Sequence, residues 1–233
     1  KYYFSALKVR EKINDKKGIA KCYNNIGNVY RLQGKNDEAL IYFNDCLKIK
    51  LETNDKKGIA NSYSNIAMIY NNTAKYKESV KYQLMALKIR EAIGDIEGIA
   101  ACNIGLGVSW RELGEFKRSA NYLNTGLDIS KGIGSKNSIK ESYGELCKLD
   151  SLQKDFKMAF THYKQYIIYR DSLINEDKTK EQTRLEMNYK FGKKQTADSI
   201  KNAEQIKQEQ LKHGQEIKQQ QNYTYGGAIG FAL

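Results

Sequence analysis

Asp15 to Asn54 reads DKKGIAKCYNNIGNVYRLQGKNDEALIYFNDCLKIKLETN, and Asp55 to Gly94 says it again as DKKGIANSYSNIAMIYNNTAKYKESVKYQLMALKIREAIG. A third copy, Asp95 to Gly134, opens DIEGIA, and a looser fourth runs from Ser135 to about Asn175. Self-similarity at a fixed period of this size marks stacked supersecondary units, none of which can bury its apolar face alone. Within the first copy the apolar residues recur at helical spacing in two runs. One holds Ile19, Tyr23, Ile26, Gly27 and Tyr30; the other holds Ala39, Tyr42, Phe43, Cys46, Leu47 and Ile49. Between them, Leu-Gln-Gly-Lys-Asn-Asp (32–37) supplies a glycine to end one helix and a polar turn to start the next. Each copy therefore predicts a helical hairpin.

Gly27 is expected to let the paired helix come close, against Phe43 and Cys46. The same slot is Ala67, Gly107 and Cys147 in the later copies, all small, and large residues answer it at Tyr30, Tyr70 and Trp110. Residues 1–14, KYYFSALKVREKIN, match the second half of a copy, which implies that the natural chain begins further upstream.

The remaining composition fits an almost wholly helical chain. Its 233 residues contain no proline, and 40% are hydrophobic. Net charge is +12, and most of the basic excess lies before Asn175, spread over helix faces rather than packed into a run. That distribution favours a solvated surface over nucleic-acid binding. Four cysteines, Cys22, Cys46, Cys102 and Cys147, show no CxxC spacing and read as buried free thiols, with disulfides left open.

The spacing of bulky residue, Leu-Gly, Tyr, Gly, Ala, aromatic and Ala resembles the tetratricopeptide repeat. In the first copy these positions are Tyr23, Ile26-Gly27, Tyr30, Gly34, Ala39, Phe43 and Cys46. The third has Leu106-Gly107, Trp110, Gly114, Ser119, Leu123 and Gly126, with Asn103 in place of the first bulky residue. The 40-residue period is similar to the long-helix subgroup that includes kinesin light chains and bacterial peptide-responsive regulators. The resemblance implies an all-α fold: a right-handed superhelical solenoid of hairpins at 15–54, 55–94, 95–134 and 135–175, then a long linker helix. In the fourth copy Asp150 stands where Tyr is expected and Lys154 where Gly is, which reads as a polar cap.

The same resemblance implies a protein or peptide ligand on the concave face lined by the first helices. By register its positions are Asn24, Asn25, Asn28, Ser64, Asn65, Met68, Ile104, Val108, Glu145 and Lys148. Side-chain amides donate and accept, so they suit the main chain of an extended peptide. Asn25 and Asn65 share one repeat position, as expected of a ladder that reads a peptide backbone. The basic set that clamps chaperone C-terminal carboxylates in some relatives is replaced at its helix positions by Asn28, Met68 and Val108.

Residues 176–221 are rich in Lys, Glu and Gln, with a sparse stripe at Ile200, Ile206, Leu211 and Ile217. One long helix, or two broken near Gly192, follows; it either pairs with a second copy as a weak coiled coil or stays solvated. Residues 222–233, NYTYGGAIGFAL, carry no charge and read either as the start of a membrane span or as an apolar tail. Arg184-Leu-Glu-Met-Asn-Tyr-Lys-Phe, then Lys193-Lys-Gln-Thr-Ala-Asp-Ser, resembles the linker of Bacteroidetes-type membrane signalling proteins. That resemblance implies an inner-membrane anchor with periplasmic repeats and an output domain such as a histidine kinase or cyclase; the alternative is a cytoplasmic adaptor. With two histidines, His162 and His213, and no ligand-spaced Cys/Asp/Glu cluster, no metal or cofactor is expected. Gly-rich phosphate loops, GxSxG elbows and Walker sequences are missing, so the residues present predict no enzyme.

Overall fold

The computed structural model describes the backbone of residues 2–230, and their side chains except at 197, 208, 209 and 211–230. The described residues form helices α1 (Tyr2–Lys12), α2 (Lys16–Leu32), α3 (Asn36–Glu52), α4 (Lys56–Asn72), α5 (Tyr76–Ile93), α6 (Ile96–Glu112), α7 (Phe116–Gly132), α8 (Lys136–Leu152) and α9 (Phe156–Gly230). One compact unit runs to Leu173 and a second begins at Ile174. Pairs α2/α3, α4/α5, α6/α7 and α8 with the start of α9 are the four predicted hairpins.

The repeated DKKGIA or DIEGIA opening has a physical cause. Asp15, Asp55 and Asp95 cap the first helices by accepting hydrogen bonds from the amides of Gly18, Gly58 and Gly98 at 2.9, 2.9 and 3.3 Å. Each aspartate also meets a cation from the end of the preceding helix: Arg10, Lys50 (2.7 Å) and Arg90 (3.9 Å). The cation lies over the glycine. A Cβ at Gly18, Gly58 or Gly98 would fall 2.6 Å from the Cδ of Arg10, Lys50 or Arg90. Cation, cap and glycine are thus one device. In the fourth copy all three change together, to Ser130, Ser135 and Ser138, and Ser135 makes no side-chain cap bond.

Helix pairing within a hairpin depends on the small slot. A Cβ on Gly27 would lie 2.7 Å from Phe43 Cε1, and one on Gly107 would lie 2.5 Å from Leu123 Cγ. The nearest atoms to Gly27 all belong to Phe43, while Cys46 instead accepts from Ser62 Oγ at 3.7 Å. Near the turn of the hairpin Tyr30 stacks on Tyr42 (centroids 5.4 Å, 7° between planes), and Tyr70 stacks on Tyr82 at 5.4 Å. The fourth hairpin replaces both rings of that pair with Asp150 and His162, whose Oδ2 and Nδ1 lie 2.6 Å apart.

Between hairpins, the second helix of one copy packs on the first helix of the next. Ala39 and Phe43 of α3 meet Ile66 and Ile69 of α4, and Leu123 and Leu127 of α7 meet Ile139, Tyr143, Leu146 and Leu149 of α8. Cys22, Cys46 and Cys102 are buried free thiols, and Cys147 is partly buried and free. Burial raises the Cys46 and Cys102 thiols above their ordinary range.

The second helix of the last hairpin carries exposed apolar residues beside the polar Asp150 and Lys154. Phe156, Phe160 and Tyr163 stay 70, 58 and 49% exposed. Their repeat equivalents Phe116, Ala120 and Leu123 hold the first helix of the following hairpin, so the face kept its apolar chemistry. Residue 154 keeps the left-handed turn of Gly34 and Gly114 without being glycine, at φ 62°, and Ala74 does so at φ 57°.

In the second unit α9 continues unbroken through Gly192. Ile200 and Ile206 of the sparse stripe are exposed. Leu211, Ile217, His213 and the whole of 222–233 lie outside the described side chains. Among the described residues, no helix is long and apolar enough to cross a membrane.

Candidate functional site

A cavity of about 560 Å³ opens between α2 and α4. Asn24 and Asn28 line it from α2, Ser64 and Asn65 from α4, so four of the sequence-predicted positions come together. One amide pair crosses the repeat boundary, Asn65 Nδ2 donating to Asn24 Oδ1 at 2.8 Å, while Asn28 Nδ2 donates within α2 to the main-chain carbonyl of Asn24 at 3.1 Å.

Of the two asparagines at the shared repeat position, Asn65 lines the cavity and Asn25 does not. Equivalent residues of stacked copies point the same way, so they cannot face one another. A side chain facing forward from α2 must meet one facing back from α4, which is why 24 pairs with 65.

The other predicted positions scatter. Ile104 is 6% exposed and belongs to the core with Leu123 and Leu127, so it offers no groove surface. Met68 is exposed and Val108 partly buried, both away from the cavity. Glu145 and Lys148 make a separate charged group: Lys148 Nζ donates to Glu145 Oε1 at 2.7 Å, and Arg111 donates to Glu145 and, at 2.8 Å, to Glu112. Burial pushes the Glu145 carboxyl up, but the hydrogen bonds from Lys148 and Arg111 outweigh it and hold the group below the usual carboxylate range.

Sequence reasoning missed the cations of the cavity. Lys17 and Lys21 of α2, Lys50 of α3, Lys57 of α4 and Arg90 of α5 all line it. Two are already engaged. Lys50 holds Asp55, whose carboxyl is lowered first by that bond and then by the Gly58 amide. Arg90 is 6% exposed and donates to the Gly98 carbonyl at 2.6 Å and to Asn61 Oδ1 at 2.9 Å. Lys17, Lys21 and Lys57 are exposed, with no hydrogen bond or ion pair to a described residue. The available signal was the second lysine of DKKG, which two copies share. Among the described residues no group of His, Cys, Asp and Glu is placed to hold a metal ion.

Stacked hairpins with small slots between paired helices define an all-α repeat solenoid. Residues 1–52 and 59–93 each match a family model described as tetratricopeptide repeat, and these stretches are tetratricopeptide repeats. Such repeats are protein–protein interaction modules.

Solved structures share the fold at low identity. BtubC (BKLC) from P. vanneervenii superposes at TM-score 0.63 with 19% identity, over 73% of this chain and 71% of that one. The apo form of RapI gives 0.62 at 15%, over 76% and 72%. A signal transduction ATPase with a tetratricopeptide repeat sensor, from Pyrococcus horikoshii, gives 0.62 at 22%, over 74% of this chain and 27% of its own length. No curated protein matches the sequence.

Proposed function

We propose that this chain is a non-enzymatic module that holds an extended protein segment in the cleft between α2 and α4. The observation that carries it is the amide set Asn24, Asn28 and Asn65 at the wall of an open cavity, with Asn65 bonded to Asn24 across the repeat boundary. Each amide carries two donor hydrogens and two acceptor lone pairs, and the bonds within the set use only part of that capacity. What remains suits peptide N–H and C=O groups of any sequence. A photo-crosslinking residue at position 28 is expected to capture a partner peptide in cells, while the same residue at exposed Lys88, outside the cleft, captures none. Equal capture at both positions would defeat the cleft as the binding site.

The module is further proposed to be the sensing or scaffold region of a membrane-anchored signalling protein. The linker resemblance at 184–199 and the uncharged residues 222–233 support this reading. Sensing is also the role named for the repeats of the Pyrococcus horikoshii ATPase, a likeness of fold. Expressed at its natural full length, the protein should fractionate with the inner membrane. Recovery in the soluble fraction would leave the adaptor reading in its place.

A further inference from the structure

Resting on the cleft reading, we propose that the cleft selects acidic peptide segments, and that a ligand lies with its acidic part over the first two hairpins and its neutral or basic part over the last two. Cations outnumber carboxylates around the cavity. Of the five cations around the cavity, Lys50 and Arg90 are held by Asp55, by Asp95 and by polar groups of α4 and α6. Asp55 is the one carboxylate among the lining residues, and Lys50 neutralises it. Lys17, Lys21 and Lys57 therefore place around one cavity three positive charges that make no ion pair with a described residue, although Lys17 is close enough to Asp15 and Asp55 to help lower both carboxyls. Their mutual repulsion falls when an anion enters, and cations lining a concave wall raise the local concentration of anions.

The charge at these positions reverses along the repeats. The position of Lys17 and Lys57 becomes Glu97 and Asn137 in the third and fourth copies. The position of Lys21 runs through Asn61 and Ala101 to Glu141. Both glutamates are exposed. One face of successive first helices thus passes from three lysines to two glutamates, and a ligand of uniform charge would be opposed at one end.

A peptide suits this cleft better than a nucleic acid. No aromatic side chain lines the cavity, so bases find no stacking platform, while the amides match a peptide main chain.

The test uses fluorescein-labelled hexaglutamate, hexaglutamine, hexalysine and oligothymidine with the whole chain, read by anisotropy and by the position-28 crosslink. Hexaglutamate should bind best and crosslink at 28, and its affinity should fall as salt approaches about 1 M, where the Debye length is ~3 Å. Lys17→Glu with Lys57→Glu should weaken hexaglutamate by about tenfold or more. Glu97→Lys with Glu141→Lys should strengthen it by a few-fold. Circular dichroism confirms that each variant folds. Hexaglutamine crosslinking as well as hexaglutamate would overturn the charge inference and leave the cleft reading standing. Tight hexaglutamate binding without a crosslink at 28 would overturn the cleft reading itself. Oligothymidine binding tighter than hexaglutamate, or indifference to the lysine reversals, would also overturn the proposal.

Discussion

The second and fourth hairpins share one backbone pattern and differ in which side chains hold it. In the second, Lys50, Asp55 and Gly58 close the entry, and Tyr70 stacks on Tyr82 at the far end. In the fourth, Ser130, Ser135 and Ser138 occupy the entry, and Asp150 with His162 takes the place of the tyrosine pair. Residues that touch change together. A lone serine at the cap would leave Lys50's counterpart without its anion, and a lone aspartate opposite Tyr82 would be half-buried without a partner. The unit of substitution in this solenoid is the contact, not the position.

The largest effect should come from the packing slot, where the third and fourth hairpins part company. Gly107→Leu drives a side chain into Leu123, whose Cγ would stand 2.5 Å from the first added carbon. Overpacking of this kind costs about 1–3 kcal/mol. Cys147→Leu, at the partly buried counterpart, should cost less. Equal melting losses would erase the contrast.

The entry device comes next. Asp55→Ala should cost about 1 kcal/mol, as loss of an N-cap does, while Ser135→Ala should change little because Ser135 makes no cap bond. The Asp55 carboxyl is lowered from 3.8 by the Lys50 bond and the Gly58 amide. Its contribution is therefore present above that pH and is lost as pH falls through the lower folded value. Chemical denaturation across the acid range should show a shallower acid limb in Asp55→Ala than in the parent.

At the far end, Asp150→Tyr and His162→Tyr made together should restore the stack of the earlier hairpins. Each change alone strands its partner, so a double-mutant cycle should return a coupling of about 1 kcal/mol. Additive effects would mean that the two positions do not act as a pair.

The smallest change sharpens the turn comparison. Lys154 holds φ 62° where the first and third hairpins have glycine. Lys154→Gly should raise stability by up to about 1 kcal/mol, because a left-handed conformation costs a residue with a Cβ roughly that much. A loss of stability would show that Lys154 contributes something its backbone does not explain.

Much of this architecture was legible in the chain because its signals are local and copied. Periodicity marks the hairpins; Gly27 and Gly107 mark where paired helices approach; Tyr30 and Tyr70 mark the bulky answer. The candidate site was legible only in part. Asn24, Asn28, Ser64 and Asn65 do reach one cavity, but Ile104, taken for groove surface by register, packs in the core. Register assigns a helical position, and the third copy turns that position inward, where Ile104 stands over Gly126: a Cβ there would lie 2.9 Å from Ile104 Cγ1.

The sequence by itself determined the repeat unit, its two helices and the small slot between them, because these depend on residues within one period. Only the tertiary structure decided that Asn24 meets Asn65, that Arg90 reaches Asn61, and that three lysines share a cavity without an ion pair to a described residue. Those relations lie between copies. Stacking sets which side chains face each other across a boundary, and a repeat read in register shows every copy the same way round.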